Sequence, residues 1–277
     1  MIQAAVLGSD VSKSRSPAIH RAAYRAMGVQ GTFEALSVDE AGFPALLADL
    51  GQRGYLYVNV TIPHKGAAAS AATTRSASVR RCSAANTLIF EPTPAHPIHA
   101  ENTDGHGLLA ALADLGTQAD GQDAVLVGAG GAAAGAIDAL LGVGARVKLV
   151  ARRPAAAQEL LTRLGPERKR RVTVHAWDGD GLAKAVRGAR ILISSVPATA
   201  WEGTDAPRGL EKLARESAVL EMAYGTPGGS PLSRAVRGRV RRYSDGLGML
   251  VHQAARAIEL ALGESPPLAP LFTAARI

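Results

Sequence analysis

Along the whole chain, apolar runs the length of a β-strand alternate with longer segments of helical period. Parallel strands need long crossovers, usually helical, so this alternation predicts an α/β architecture. Residues 2–7 read as a buried strand. Ser16 and Pro17 supply an N-cap and a first-turn proline for a helix that stops at Gly28. Residues 32–36 form a second strand, and Asp39 caps the helix after it. Residues 55–60 form a third strand, ending at Thr61-Ile62-Pro63. Residues 86–90 and 98–100 pair as a hairpin across the proline-broken stretch 91–97. Residues 105–115 are helical.

A second α/β unit starts at Ala124. Residues 124–127 form a short strand, followed by a glycine-rich turn and an Ala/Leu helix that ends near residues 142–144. Residues 147–150, 172–176, 191–194 and 219–222 are further strands. Residues 246–263 form an amphipathic helix, and residues 268–275 a shorter one. The division falls in the stretch 104–123. It gives a first domain of residues 1–104, completed by the C-terminal helices 246–277, and a Rossmann-like doubly wound domain of residues 105–245.

With 277 residues, 47% of them hydrophobic and 20% charged, the chain is long and apolar enough to bury a large core, and disordered and collagenous classes are excluded. The single cysteine, Cys82, excludes an internal disulfide framework and argues against a cysteine-based zinc site. The amino terminus lacks the basic segment and cleavage site of a secretory signal, and no apolar run is long enough to cross a bilayer, so a cytoplasmic location is expected. The net charge of +7 is concentrated in Arg168-Lys169-Arg170-Arg171 and in residues 237–242. No aromatic residues interleave these runs, so they read as solvated surface segments, and no nucleic-acid or membrane partner is expected.

Residues 128–135 follow a strand, open a helix and fit G-x-G-x-x-A, with Ala133 in the third slot. Gly128 permits the tight turn, Gly130 lets the backbone approach a pyrophosphate, and the helix start supplies amide donors. Ala129, Gly131 and Ala132 complete this candidate cofactor loop; a plain tight turn is the alternative. At the end of the next strand an NAD site usually carries an acid, but here the chain reads Val150-Ala151-Arg152-Arg153. A guanidinium can take the 2′-phosphate of NADP in a forked contact, so Arg152 favours NADP over NAD.

Reduction of a ketone also needs a proton donor. Lys65 follows the third strand and Asp104 sits at the domain junction. Together they could shuttle a proton and stabilise charge on oxygen. Read from spacing alone, they are equally a surface lysine and a helix N-cap. His64 and His252 have no third ligand at metal spacing, so no metal is expected.

In order along the chain stand Ser14-Arg15-Ser16-Pro17, Asn59-Val60-Thr61-Ile62-Pro63-His64-Lys65, Ala85-Asn86-Thr87, Asn102-Thr103-Asp104-Gly105, the Gly128 loop, and a stretch from Gly246 to Ala254 containing Met249 and Gln253. With these motifs the chain resembles the shikimate dehydrogenase family over nearly its whole length. The resemblance implies a substrate domain and a dinucleotide domain with a cleft between them. It implies reversible NADPH-dependent reduction of 3-dehydroshikimate to shikimate, in the biosynthesis of chorismate and the aromatic amino acids. Lys65 and Asp104 would be the catalytic pair, and Ser14 and Ser16 would hold the substrate carboxylate. Thr61, Asn86 and Gln253 would bind the ring hydroxyls, and Tyr224 would lie near the carboxylate. Gly246 and Met249 would join the cofactor site.

The chain departs from the family pattern in several places. A later basic residue after Arg152 is replaced by Ala156, Ser194-Ser195-Val196-Pro197 stands at the nicotinamide pocket, Glu221 replaces an aspartate, and the loop 225–229 is longer by one residue than the family pattern. NAD use therefore stays open. So do a quinate/shikimate or aminoshikimate dehydrogenase and a non-catalytic NADP-binding regulator, although retention of both Lys65 and Asp104 argues against the last. The expected partners are small molecules, for a monomer or a homodimer.

Overall fold

A computed structural model describes residues 1–93 and 97–276. Pro94, Ala95 and His96, in the expected hairpin loop, lie outside the described residues. The chain divides into two units, Met1–Gly107 with Leu250–Ile277, and Leu108–Met249. The divisions fall inside two helices, Asp104–Asp114 and Leu247–Leu262, a few residues beyond the sequence boundaries at 104 and 245.

In the first unit one sheet contains β1 (Ile2–Gly8), β2 (Gly31–Ser37), β3 (Tyr57–Val60), β4 (Thr74–Arg75), β5 (Thr87–Phe90) and β6 (Ile98–Glu101). The strand order is β2-β1-β3-β5-β6-β4. β1 runs parallel to β2 and β3, but β3–β5 and β5–β6 are antiparallel. The sheet is therefore mixed, because a short β5–β6 connection can join only antiparallel neighbours. Residues 4–8 of β1 are buried without alternation, as expected for a strand covered on both faces. Leu7, Val58 and Leu88 are wholly buried against Phe43 and Leu50 of the helix Phe43–Gln52.

The second unit holds β7 (Asp123–Val127), β8 (Arg146–Ala151), β9 (Val172–Ala176), β10 (Ile191–Ser194), β11 (Ala218–Glu221) and β12 (Arg242–Ser244). They form an all-parallel sheet in the order β12-β11-β10-β7-β8-β9. The order reverses between β7 and β10, the switch point at which doubly wound sheets bind ligands beyond the strand carboxyl ends. The two-domain α/β class read from the sequence is thus borne out.

Local expectations needed correction at several points. Ser16 is the first helical residue of Ser16–Ala26, not its N-cap; Arg15 occupies that position, and Ser14 Oγ accepts from Ser16 N–H at 3.3 Å. Asp39 caps a preceding turn, accepting from Gly42 N–H at 2.7 Å, while the helix itself starts at Phe43. The run 168–171 is only partly solvated. Arg168 pairs with the buried Asp138, and Arg171 donates to the carbonyl of Leu141 at 2.8 Å, fastening this segment to the helix Gly131–Gly142. Arg242, read as part of a surface run, opens the edge strand β12.

Candidate active site

Lys65 Nζ lies 2.6 Å from Asp104 Oδ2, and the two side chains are 13% and 3% exposed. Local folding brings them together from positions 39 residues apart. β3 pairs with β5 so that Asn59 faces Thr87, and Val60 N–H donates to the Asn86 carbonyl at 2.8 Å. After the turn at Thr61, Lys65 opens the helix Lys65–Ala71, and its carbonyl accepts from Ala85 N–H at 2.9 Å. Asp104 opens the helix Asp104–Asp114, with its N–H given to Asn102 Oδ1 at 3.1 Å. A buried carboxylate is tolerated only when paired and hydrogen-bonded, and here both conditions are met.

The second carboxylate oxygen, Asp104 Oδ1, accepts from Asn86 Nδ2 at 2.9 Å. The same Nδ2 approaches Thr103 Oγ1 at 3.0 Å and Gln253 Oε1 at 3.2 Å, and Asn86 Oδ1 accepts from Thr103 N–H at 2.8 Å. Asn86, Asp104, Lys65 and Gln253 therefore form one connected cluster. Around it stand residues that the sequence quoted in motifs without assigning them a role. Asn59 Nδ2 donates to Thr87 Oγ1 at 3.0 Å, and Asn102 Nδ2 donates to the Ala84 carbonyl at 2.9 Å. The usable signal was the asparagine two residues before Asp104, a pattern that often closes a turn on the backbone.

Ser14 is half-buried and Ser16 buried at the start of their helix. Thr61 N–H donates to the Leu7 carbonyl at 2.8 Å. A methyl added to Gly8 would sit 2.5 Å from the Thr61 side chain, so the close approach of β1 requires glycine there. His64 is buried, stacked on Phe43, with Nε2 donating to the Val38 carbonyl at 2.8 Å; His252 lies edge-on to Phe272. Among the described residues no group of three or more His, Cys, Asp or Glu could hold a metal ion.

In the second unit, Gly128 has φ +110, and an added methyl would lie 2.5 Å from Ser195 Oγ. Only glycine fits that turn. Gly130 precedes the helix Gly131–Gly142 and is exposed, with open space where a side chain would be, while Ala133 in the third slot is fully buried. Ala129, Gly131 and Ala132 are partly accessible. The loop thus presents an accessible backbone at a helix start, the geometry that suits a pyrophosphate. Val127 pairs with Val150, and Arg152 follows β8 with its side chain exposed. Gly246 packs on the Met222 carbonyl, which leaves no room for a methyl, and Met249 is buried. Tyr224 is half-buried beside the loop 225–229.

A doubly wound sheet with this glycine turn, in one chain with a buried lysine–carboxylate pair, defines an α/β oxidoreductase of the dinucleotide-binding class. Residues 6–88 match the family model described as the shikimate dehydrogenase substrate binding domain. The chain is 34% identical over 275 residues to a shikimate dehydrogenase (NADP(+)) of Afipia carboxidovorans, covering 98% of this chain and 95% of the relative. The crystal structure of Mycobacterium tuberculosis shikimate dehydrogenase superposes with a TM-score of 0.86 at 33% identity, covering 100% of this chain and 99% of that one. The Thermus thermophilus shikimate 5-dehydrogenase in complex with NADP(H) and shikimate gives 0.83 at 29% identity, covering 100% of this chain and 99% of that one. The chain belongs to the shikimate dehydrogenase family.

Proposed function

We propose that this protein catalyses the reversible NADPH-dependent reduction of 3-dehydroshikimate to shikimate, a step in the biosynthesis of chorismate and the aromatic amino acids, with Lys65 and Asp104 as its catalytic residues. The observation that carries this reading is the buried 2.6 Å contact between Lys65 Nζ and Asp104 Oδ2, in a chain whose relatives are shikimate dehydrogenases (NADP(+)). NADPH supplies the hydride. The protein must supply the matching proton to the ketone oxygen as it becomes a hydroxyl. The Lys65 ammonium carries that proton and stabilises the developing negative charge, while the Asp104 carboxylate aims the ammonium, and solvent returns the proton to the lysine after the step. In the reverse direction the pair takes the hydroxyl proton.

Substrate selection falls to neutral groups. Ser14 and Ser16 take the carboxylate at the start of their helix. Thr61, Gln253 and Asn86 meet the ring hydroxyls, and Tyr224 adds a contact near the carboxylate. A site that pairs every hydroxyl rejects analogues lacking one, because its own buried donors would be stranded. Residues 128–132 hold the pyrophosphate, Arg152 the 2′-phosphate, and Gly246 and Met249 line the nicotinamide position. In this reading residues 1–104 with 246–277 are the substrate domain, and residues 105–245 the cofactor domain. The enzyme acts on small molecules in the cytoplasm, and no helix among the described residues is long and apolar enough to cross a membrane.

The deciding test is a spectrophotometric matrix of shikimate, quinate and aminoshikimate, each with NADP and NAD. The expected result is highest kcat/KM for shikimate with NADP. Preference for quinate or aminoshikimate would move the assignment to a sister activity, and absence of any turnover would leave only a binding protein.

A further inference from the structure

The second unit contains a pocket of about 470 Å³ at the carboxyl end of β11 that shares only Tyr224 with the proposed substrate and cofactor residues. At its floor is Glu221, 1% exposed. One carboxylate oxygen, Oε2, accepts from Ser230 Oγ and from Tyr243 OH, the latter at 2.9 Å. The other, Oε1, is buried and has no hydrogen-bond partner. A carboxylate oxygen withdrawn from water and left bare is costly, so a donor is expected to meet it. Ser230 cannot serve both oxygens, because its single hydroxyl hydrogen is already given to Oε2 while its oxygen caps the helix Pro231–Val236 by accepting from Ser233 N–H at 2.9 Å. Tyr243 is committed as well: burial and the neighbouring Glu221 push its hydroxyl above the ordinary range, which keeps it a donor.

The rim has the opposite character. Arg237 and Arg241 line the pocket and are exposed, and neither guanidinium is ion-paired among the described residues. Asp245, the remaining charged group of the lining, is engaged at Oδ1 by Leu247 N–H at 3.2 Å. Val236, Val240 and the Tyr243 ring supply apolar wall. A simple anion would be repelled by Glu221 at the floor. A metal cation would find one open carboxylate oxygen and two guanidinium groups, a poor site. A molecule that carries both a donor cation and a carboxylate answers both groups.

We propose that this pocket binds a small zwitterion of the α-amino acid class, its ammonium on Glu221 Oε1, its carboxylate at Arg237 and Arg241, and its side chain against Val236, Val240 and Tyr243. The volume suits a ligand of that size. The proposal does not depend on the Lys65–Asp104 assignment, since every group it uses lies in the second unit.

The test is calorimetric titration of the purified full chain with glycine, L-leucine and L-phenylalanine. Two further probes, 3-phenylpropionate and phenethylamine, each lack one of the two charges. Saturable binding of L-leucine or L-phenylalanine is expected, with each single-charge probe weaker by about tenfold or more. Glu221→Gln should erase the preference for L-phenylalanine over 3-phenylpropionate. Arg241→Ala, at an exposed position where folding is not at risk, should erase the preference over phenethylamine. Absence of saturable binding by all three amino acids, or binding unchanged in Arg241→Ala, would overturn the proposal.

Discussion

Asn86 Nδ2 lies 2.9 Å from Asp104 Oδ1, so the carboxylate that pairs with Lys65 is gripped at both oxygens. Asn86 is 4% exposed, and its own carbonyl oxygen is fixed by the backbone N–H of Thr103. Rotation of Asp104 away from Lys65 would break two hydrogen bonds in a dry environment, where unpaired polar groups are expensive. The lysine–carboxylate pair is therefore fixed in place by the protein's own hydrogen bonds.

Asn86→Ala should strand Asp104 Oδ1, Thr103 N–H and Gln253 Oε1 at once. A stability loss of about 1–3 kcal/mol is expected for buried groups left unpaired. Turnover should fall further than the loss of folded protein explains. Denaturant melts run beside kcat measurements separate the two, and unchanged kcat in the folded fraction would count against the grip on Asp104.

Gly128→Ala places a methyl at φ +110 and 2.5 Å from Ser195 Oγ. Holding a non-glycine residue there costs about 1–3 kcal/mol, and relief of the clash must displace the loop. Weaker dinucleotide binding and a lowered melting temperature are expected together. A variant with wild-type cofactor affinity would contradict the tight-turn role of this glycine.

Arg152→Ala should raise the KM for NADPH more than that for NADH, by about tenfold or more if the guanidinium forks on the 2′-phosphate. No acid follows β8 to compensate with the ribose hydroxyls of NAD. Equal effects on the two cofactors would remove Arg152 from the 2′-phosphate contact.

His20 is fully enclosed, stacked on Phe33 at 3.8 Å with Nδ1 2.7 Å from Tyr57 OH, and burial pushes its pKa down to about 3. Its unfolded value is near 6.5. Between those values the unfolded chain binds a proton that the folded chain refuses, so stability falls as pH drops through this window. His20→Gln keeps an acceptor for Tyr57 and removes the titration. Its melting temperature should decline less steeply from pH 6.5 toward pH 4 than that of the wild type. Parallel declines would show that other groups govern acid lability.

In the second unit the strands were the legible part. β10, buried at every position, reads as an uninterrupted apolar run, and the exposed edge strand β9 matches its expected limits as well. β12 escaped because Arg242-Tyr243-Ser244 is an edge strand with little to bury. The helices Lys65–Ala71 and Ala77–Cys82 were unmarked, being short, with four alanines in the first and paired arginines in the second. Within the site, Lys65 and Asp104 were nameable from motifs, but the grip on Asp104 was not. It depends on Asn86 reaching Asp104 across 18 residues, from a strand start to a helix start, a contact that no local spacing encodes. The Arg168–Asp138 staple was hidden in the same way, since a run of basic residues looks alike whether or not a buried acid waits for it.

The central assignment is tested most directly by Lys65→Ala, assayed for kcat with shikimate and NADP while shikimate binding is followed separately by calorimetry. Turnover should fall by about 10²–10⁴-fold, the range of a positioned proton-transfer group, with shikimate still bound and the melting temperature nearly unchanged. Turnover close to wild type in that folded variant would contradict the catalytic role of the pair.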